Sequence, residues 1–160
     1  MKTYIIKKGN HYCEPTLFGL PLHFGFSKTD VKYKVRFHED CIYDDNTVIP
    51  GWNKLPGWSS LGIHSNSVRL GWIVRSGVIS VGYYCYINGV RYSGDLMIVQ
   101  PGIWYEVECS IIHGDYAMRI NDTFKLISGG STPFITFKCF PYFGGQSTAP
   151  NTMSIDIEKL

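Results

Sequence analysis

The sequence predicts an all-β domain, a sandwich or a barrel, and three observations carry that expectation. Eleven Tyr, nine Phe and four Trp make up 15% of the 160 residues, beside 17 Gly and 8 Pro. Aromatic side chains fit pleated strands, while Gly and Pro punctuate turns. Apolar and polar residues alternate with period two in several windows, and no window holds a helical period. Turn residues separate nearly every pair of these windows, at Pro101-Gly102, His113-Gly114-Asp115, Asn121-Asp122, Gly129-Gly130 and Gly144-Gly145. Many short strands at such spacing make one domain with one core.

Taken in order, strands are expected at residues 3–7, 22–26 and 31–38. In the third, Val31, Tyr33, Val35 and Phe37 face one side and Lys32, Lys34, Arg36 and His38 the other, which is a half-buried strand. Residues 44–67 read as a long loop carrying Gly51, Pro56, Gly57, Gly62 and two tryptophans, and loops of that length are commonly functional. Strands resume at 68–74 and 78–87, where Asn88-Gly89 starts a tight hairpin into 90–92 because both turn positions need positive φ. Further strands follow at 96–99, 104–112, 116–120, 124–127, 134–139 and 153–159. Val31, Val35, Val107, Ile111, Ile155 and Ile157 are expected in the core. The outward charges have opposite signs on different strands, Lys and Arg at 32–36 against Glu106, Glu108, Asp156 and Glu158, so cross-strand pairing on a solvated face is expected.

Charge and cysteine usage exclude several classes. Fifteen basic residues against thirteen acidic leave a net charge of +2, far from the basic footprint of a nucleic-acid binder. No apolar run approaches the ~18 residues that cross a bilayer, so no membrane insertion is expected. The opening MKTYIIKKGNHY lacks a signal peptide's apolar region. Synthesis in the cytoplasm without a leader is expected, or a secreted or surface protein if a leader has been removed. Cys13, Cys41, Cys85, Cys109 and Cys139 form no CxxC pair, so buried reduced thiols and no metal site are expected.

Three segments carry a resemblance. PGIWYEVECSIIHGDYAMRIND (residues 101–122) resembles a strand pair of concanavalin A-like jelly rolls, with a Gly-x-Trp entry, a Gly-Asp turn and an Asn-Asp turn. YFGGQSTAPNTMSIDI (142–157) is similar to the closing turn and last strand of the same superfamily, including some polysaccharide lyases. NKLPGWSSLGIHSNSVRLGW (53–72) is similar to small lectin-like proteins of gut bacteria and their phages. The resemblance implies an antiparallel two-sheet β-sandwich, the concanavalin A-like jelly roll, with a concave and a convex face. That fold serves lectins, glycosidases, lyases and structural proteins alike.

The residues narrow the chemistry further. The Glu-x-Asp-x-x-Glu pattern of the superfamily's glucanases is missing, and the nearest pair, Glu106 and Glu108, alternates with apolar residues on a solvated strand face. No catalytic residue is therefore assigned. On strand 78–87, Tyr84 and Tyr86 share a face with Ser80 and Gly82, opposite Ile79, Val81, Tyr83, Cys85 and Ile87. Sugar rings stack on such aromatics beside a few polar groups. The candidate glycan contacts are His64, Arg69, Tyr84 and Tyr86, closed on one side by Trp52 and Trp58 of the loop. The run HEDCIYDDN gathers Glu39, Asp40, Asp44 and Asp45, but its spacing matches no calcium loop and reads as a solvated turn.

The leading expectation is a non-enzymatic lectin-like module that binds glycan or protein neighbours, without a cofactor. It would work within an oligomer or particle such as a phage virion, with Trp52, Pro56, Trp58 and Leu61 as contact residues. The alternative is a polysaccharide lyase or glycoside hydrolase acting on the concave face.

Overall fold

The structure, a computed structural model, describes residues 1–23, 25–62 and 64–160. Phe24, in the expected strand 22–26, and Ile63, in the expected loop 44–67, lie outside the described residues. The strands in chain order begin with β1 (Lys2–Ile6), β2 (Thr16–Leu17), β3 (Leu20–Pro21) and β4 (Val31–Phe37). Next come β5 (Asn53–Ser59), β6 (Ser67–Arg75), β7 (Val78–Ile87), β8 (Val90–Val99) and β9 (Trp104–Ile112). The last four are β10 (Asp115–Ile120), β11 (Thr123–Ile127), β12 (Phe137–Cys139) and β13 (Met153–Lys159).

Two antiparallel sheets pack face to face as a sandwich, as expected. One has the order β1-β13-β4-β9-β10-β11 and the other β12-β5-β6-β7-β8, while β2 and β3 form a small separate ribbon. Apolar residues at every second position of β4, β9 and β13 meet those of β6 and β7 between the sheets. Val35, Phe37, Val107, Ile155 and Ile157 come from the first sheet, and Val68, Leu70, Trp72, Val74 and Val81 from the second. Trp72 meets Phe37 edge to face at 5.4 Å, and Trp58 meets Tyr116 at 5.3 Å. Val31 and Ile111 are only half-buried, because both lie at the end of the sheet where β4 begins and β9 ends and the core thins. All five cysteines are buried and free.

The outer face of the six-stranded sheet carries the charges in opposed pairs. Lys32 lies across from Glu108, Lys34 from Glu106 and Arg36 from Asp156, with nitrogen to oxygen distances of 3.4, 3.6 and 2.6 Å. Asp156 also accepts from Thr3 Oγ1 at 2.6 Å and meets His38 Nε2 at 2.9 Å. Burial alone would raise its pKa, but the hydrogen bonds from Thr3, Arg36 and His38 outweigh that and hold it at about 2.

Four strand expectations change. Residues 53–59, expected within a long loop, form β5, where a bulge between Lys54 and Gly57 lets Pro56 and Gly57 sit inside the sheet. The segments 90–92 and 96–99 join into β8, because a bulge opposite Val81 and Gly82 absorbs the apparent break. The segment 134–139 shrinks to Phe137–Cys139. Among the described residues of the expected strand 22–26, Phe26 bridges Phe137, and β3 lies just before the segment at Leu20–Pro21. At the tip of β7-β8, Asn88 and Gly89 have φ of 49° and 84°, the hairpin turn expected from the dipeptide.

Candidate functional site

The alternation that fills the core also populates the opposite face of the five-stranded sheet. Because Val68, Leu70, Trp72 and Val74 point inward from β6, Arg69 and Gly71 point out. Register places Arg69 between Gly57 of β5 and Tyr84 of β7. Lys54, one strand over, exchanges backbone hydrogen bonds with Tyr142 at 2.8 and 3.1 Å, which sets the two side chains next to each other.

These residues line a groove of about 970 Å³, to which Trp52, His64, Arg91 and Lys138 also contribute. Among the described residues no Asp or Glu lines it. Lys54 Nζ lies 4.9 Å from the Tyr84 ring centre and 5.3 Å from that of Tyr142, while the Arg69 guanidinium lies 5.9 Å from Tyr84. Lys54 is 9% exposed and Arg69 7%. Arg69 Nε is buried without a hydrogen-bond partner, and among the described residues neither cation forms an ion pair. Burial, helped by the charges of Arg69 and Arg91, pushes the Lys54 pKa down to about 8. Burial and the neighbouring Tyr86 push the Tyr84 hydroxyl up to about 12 despite Arg69 and Arg91.

Trp52 has a built seat. Gly71 and Gly82 face each other across β6 and β7, and the indole lies over them. A Cβ on Gly71 would come within 2.9 Å of Trp52 Cε3, and one on Gly82 would overlap the ring and Gly94 O. Only glycine permits so close an approach at these two positions. Arg75 stands 5.5 Å from the Trp52 ring.

The structure therefore brings Trp52, His64, Arg69 and Tyr84 to one groove. Tyr86 stands beside it, with its ring 5.9 Å from Tyr84 and 4.9 Å from His64. Trp58 is a correction. It points into the core, fully buried against Tyr116, because the β5 bulge turns it inward, and it has no surface for a glycan or a neighbour. Pro56 is half-buried in β5 and its carbonyl accepts from Tyr33 Oη at 3.0 Å, whereas Leu61 is 82% exposed. Sequence reasoning missed Lys54, Arg91, Lys138 and Tyr142. A lone lysine beside Pro and Gly looks like a solvated loop, and nothing local announces that Tyr142 will pair with it. Asp44 is spent capping Asn46 N at 3.0 Å and Asp45 accepts from Ser76 N at 3.1 Å. Among the described residues no group of three His, Cys, Asp or Glu gathers as a metal site.

Chemically, the groove offers buried positive charge, aromatic faces and one amine of depressed basicity. Comparison of the sequence with known protein families and with curated proteins finds no match. Solved structures do match in shape. A polysaccharide lyase family 18 protein, aly-SJ02 r-CATD, aligns with a TM-score of 0.58 at 11% identity, over 99% of this chain and 88% of that one. A functionally unknown protein from Saccharomyces cerevisiae aligns at 0.53 and 9% identity, over 99% and 87%. An uncharacterised protein from Mycobacterium paratuberculosis aligns at 0.52 and 7%, over 97% and 80%. The shared property is the fold, a jelly-roll β-sandwich.

Proposed function

We propose that the protein binds an acidic polysaccharide, one bearing carboxylate or sulfate groups, in the groove over the five-stranded sheet. The supporting observation is that Lys54 and Arg69 are each more than nine-tenths buried and, among the described residues, no carboxylate lines the groove to pair with them. A buried cation is costly unless an anion and hydrogen bonds compensate it. Tyr142 and Trp52, both half-buried in the groove lining, supply faces on which sugar rings stack, and a polysaccharide lyase among the structural neighbours accords with this reading.

The test is affinity electrophoresis through gels containing polygalacturonate, a sulfated glycan or a neutral glucan. Retardation by the acidic polymers alone is expected, weakening as salt rises. Charge-assisted hydrogen bonds contribute about 1.5 to 3 kcal/mol each, so Lys54→Met or Arg69→Met should lower affinity roughly ten- to a hundredfold. Equal retardation by the neutral glucan, or none by any polymer, would remove the proposal.

One observation favours a second reading, the lyase. Lys54, with its pKa near 8, lies between the Tyr84 and Tyr142 rings beside Arg69. A uronate whose carboxylate rests on Arg69 would give its C5 proton to the neutral Lys54 amine. The C4–C5 double bond forms as the C4–O bond breaks, and a tyrosine hydroxyl protonates the departing oxygen. Ultraviolet absorbance of the unsaturated product, rising as Lys54 deprotonates and lost in Lys54→Met, distinguishes catalysis from binding alone. Membership of an oligomer or virion is likewise a proposal, resting on exposed Leu61 and Ile49, and sedimentation of the intact protein tests it.

A further inference from the structure

An apolar finger borders the cationic groove. The stretch PTLFGLPLHFGFSKT, residues 15–29, contains no acidic side chain. Its β2-β3 ribbon exposes Leu17, Phe18 and Leu20, with Leu22 following, and Phe18 is 96% accessible. Phe18 also has a φ of +50°, a left-handed conformation that bulky side chains avoid, so the turn holds the ring outward against its own preference. The same segment forms a groove wall through Pro21, His23 and Gly25. It is tied to the sheet by Ser27 N to Thr136 O at 2.8 Å and Lys138 N to Gly25 O at 2.9 Å. That pairing puts the Lys138 stem 3.6 Å from where a Gly25 Cβ would stand.

From this juxtaposition we infer that the β2-β3 finger docks the protein peripherally on a bilayer of anionic lipids, bringing the groove onto their acidic headgroups. The inference rests on the groove's affinity for anions proposed above. Two arguments choose a lipid surface over a protein. The exposed side chains crowd a single ribbon with a two-residue turn, whereas a stable protein interface needs roughly 1,000 Å² of complementary surface. Two residues per arm at about 3.3 Å each give a reach of about 7 Å. Interfacial insertion into the headgroup layer is about 5 to 10 Å deep. The charge is complementary as well: Lys54, Arg69, Arg91 and Lys138 line the groove, among the described residues no carboxylate lines it, and Glu14 at the base of the finger is paired with Lys7 at 3.1 Å. A finger in the headgroup layer is no membrane span, and no helix of the described residues is long and apolar enough to cross one.

Flotation with phosphatidylcholine vesicles, with and without one-third phosphatidylglycerol, tests the inference on the full chain. The wild type should float with the anionic vesicles at least tenfold more than with the neutral ones. The double variant Phe18→Ser and Leu20→Ser should lose that binding tenfold or more while keeping its thermal midpoint and its retardation by polygalacturonate. Wild-type protein that ignores anionic vesicles, or a double variant that binds them like wild type, overturns docking by the finger. So does a double variant whose only change is dissociation of an oligomer in sedimentation, which would make the finger a protein contact. Loss of polygalacturonate binding in Lys54→Met, with vesicle binding retained, supports separate roles for finger and groove. Vesicle binding by a wild type that no acidic polysaccharide retards removes the glycan reading and leaves the docking in place.

Discussion

Replacing Lys54 by Met should make the unliganded protein more stable. The lysine amine is buried in the groove without an acid, and its pKa falls from the ordinary 10.5 to about 8 because of that burial and the nearby charges of Arg69 and Arg91. At ~1.36 kcal/mol per tenfold change in proton affinity, this amounts to roughly 3 kcal/mol. The sign follows from proton uptake. Below pH 8 the amine is charged in the folded and unfolded chain alike, and the folded chain bears the whole cost. Between pH 8 and 10.5 the folded amine is neutral while the unfolded one still binds a proton, so the cost fades as pH rises. Met has a similar volume and no charge, so urea unfolding at pH 7 should show the variant about 2 to 3 kcal/mol more stable. For a chain of this size that is a thermal midpoint some 5 to 10 °C higher. The advantage should shrink towards zero by pH 10.5. Titrating tyrosines and thiols move both proteins together and cancel in the difference. Polygalacturonate at a fixed concentration should stabilise the wild type more than the variant. A variant less stable than wild type at pH 7, or an advantage independent of pH, would refute the idea that Lys54 is held without a counter-charge.

Three further outcomes follow from the packing. Gly82→Ala should destabilise the fold by about 1 to 3 kcal/mol and move Trp52 from its seat, read as a change in tryptophan fluorescence and weaker retardation by acidic polymers. Trp58→Ala should cost about 3 to 5 kcal/mol in urea unfolding yet leave the affinity of the folded fraction unchanged, since the ring belongs to the core. Asp156→Asn should cost about 1 to 2 kcal/mol at pH 7, allowing for solvent around Arg36 and His38. Because its folded pKa is depressed to about 2, that contribution is present above pH 4 and lost as pH falls from about 4 to 2, where the two proteins should converge.

Legibility followed periodicity. The strands at 31–37, 104–112 and 153–159 alternate between apolar core and charged surface, so both their positions and their charge pairs could be read from the residues alone. β5 could not, since all its residues but Pro56 are buried, it carries a bulge, and its Pro-Gly dipeptide is ordinarily a turn signal. Half of the groove came through β7, whose alternation sets Tyr84 and Tyr86 opposite the core. The other half depends on contacts between residues distant in sequence. Lys54 and Tyr142 meet only because the chain returns after 88 residues to pair with β5, and neither residue looks unusual in its own neighbourhood.

The outer face of the six-stranded sheet and the groove over the five-stranded sheet use charge in opposite ways, and that contrast carries the functional argument. On the six-stranded sheet Lys32, Lys34, Arg36 and Arg119 each meet a carboxylate, so the face is neutral in detail and any one exposed pair there contributes little. On the five-stranded sheet Asp95 pairs with Arg75 at 2.6 Å outside the groove, whereas Lys54 and Arg69 are buried more deeply and, among the described residues, meet none. A sequence selected for stability alone would place its acids where burial makes unpaired charge most costly, yet here they serve the face where solvent already screens the cations. Local rules broken in this way tend to mark sites of function. The net charge of +2 conceals the imbalance because it averages a paired face with an unpaired groove. On the reading proposed above, the ligand that fills the groove brings the missing negative charge with it.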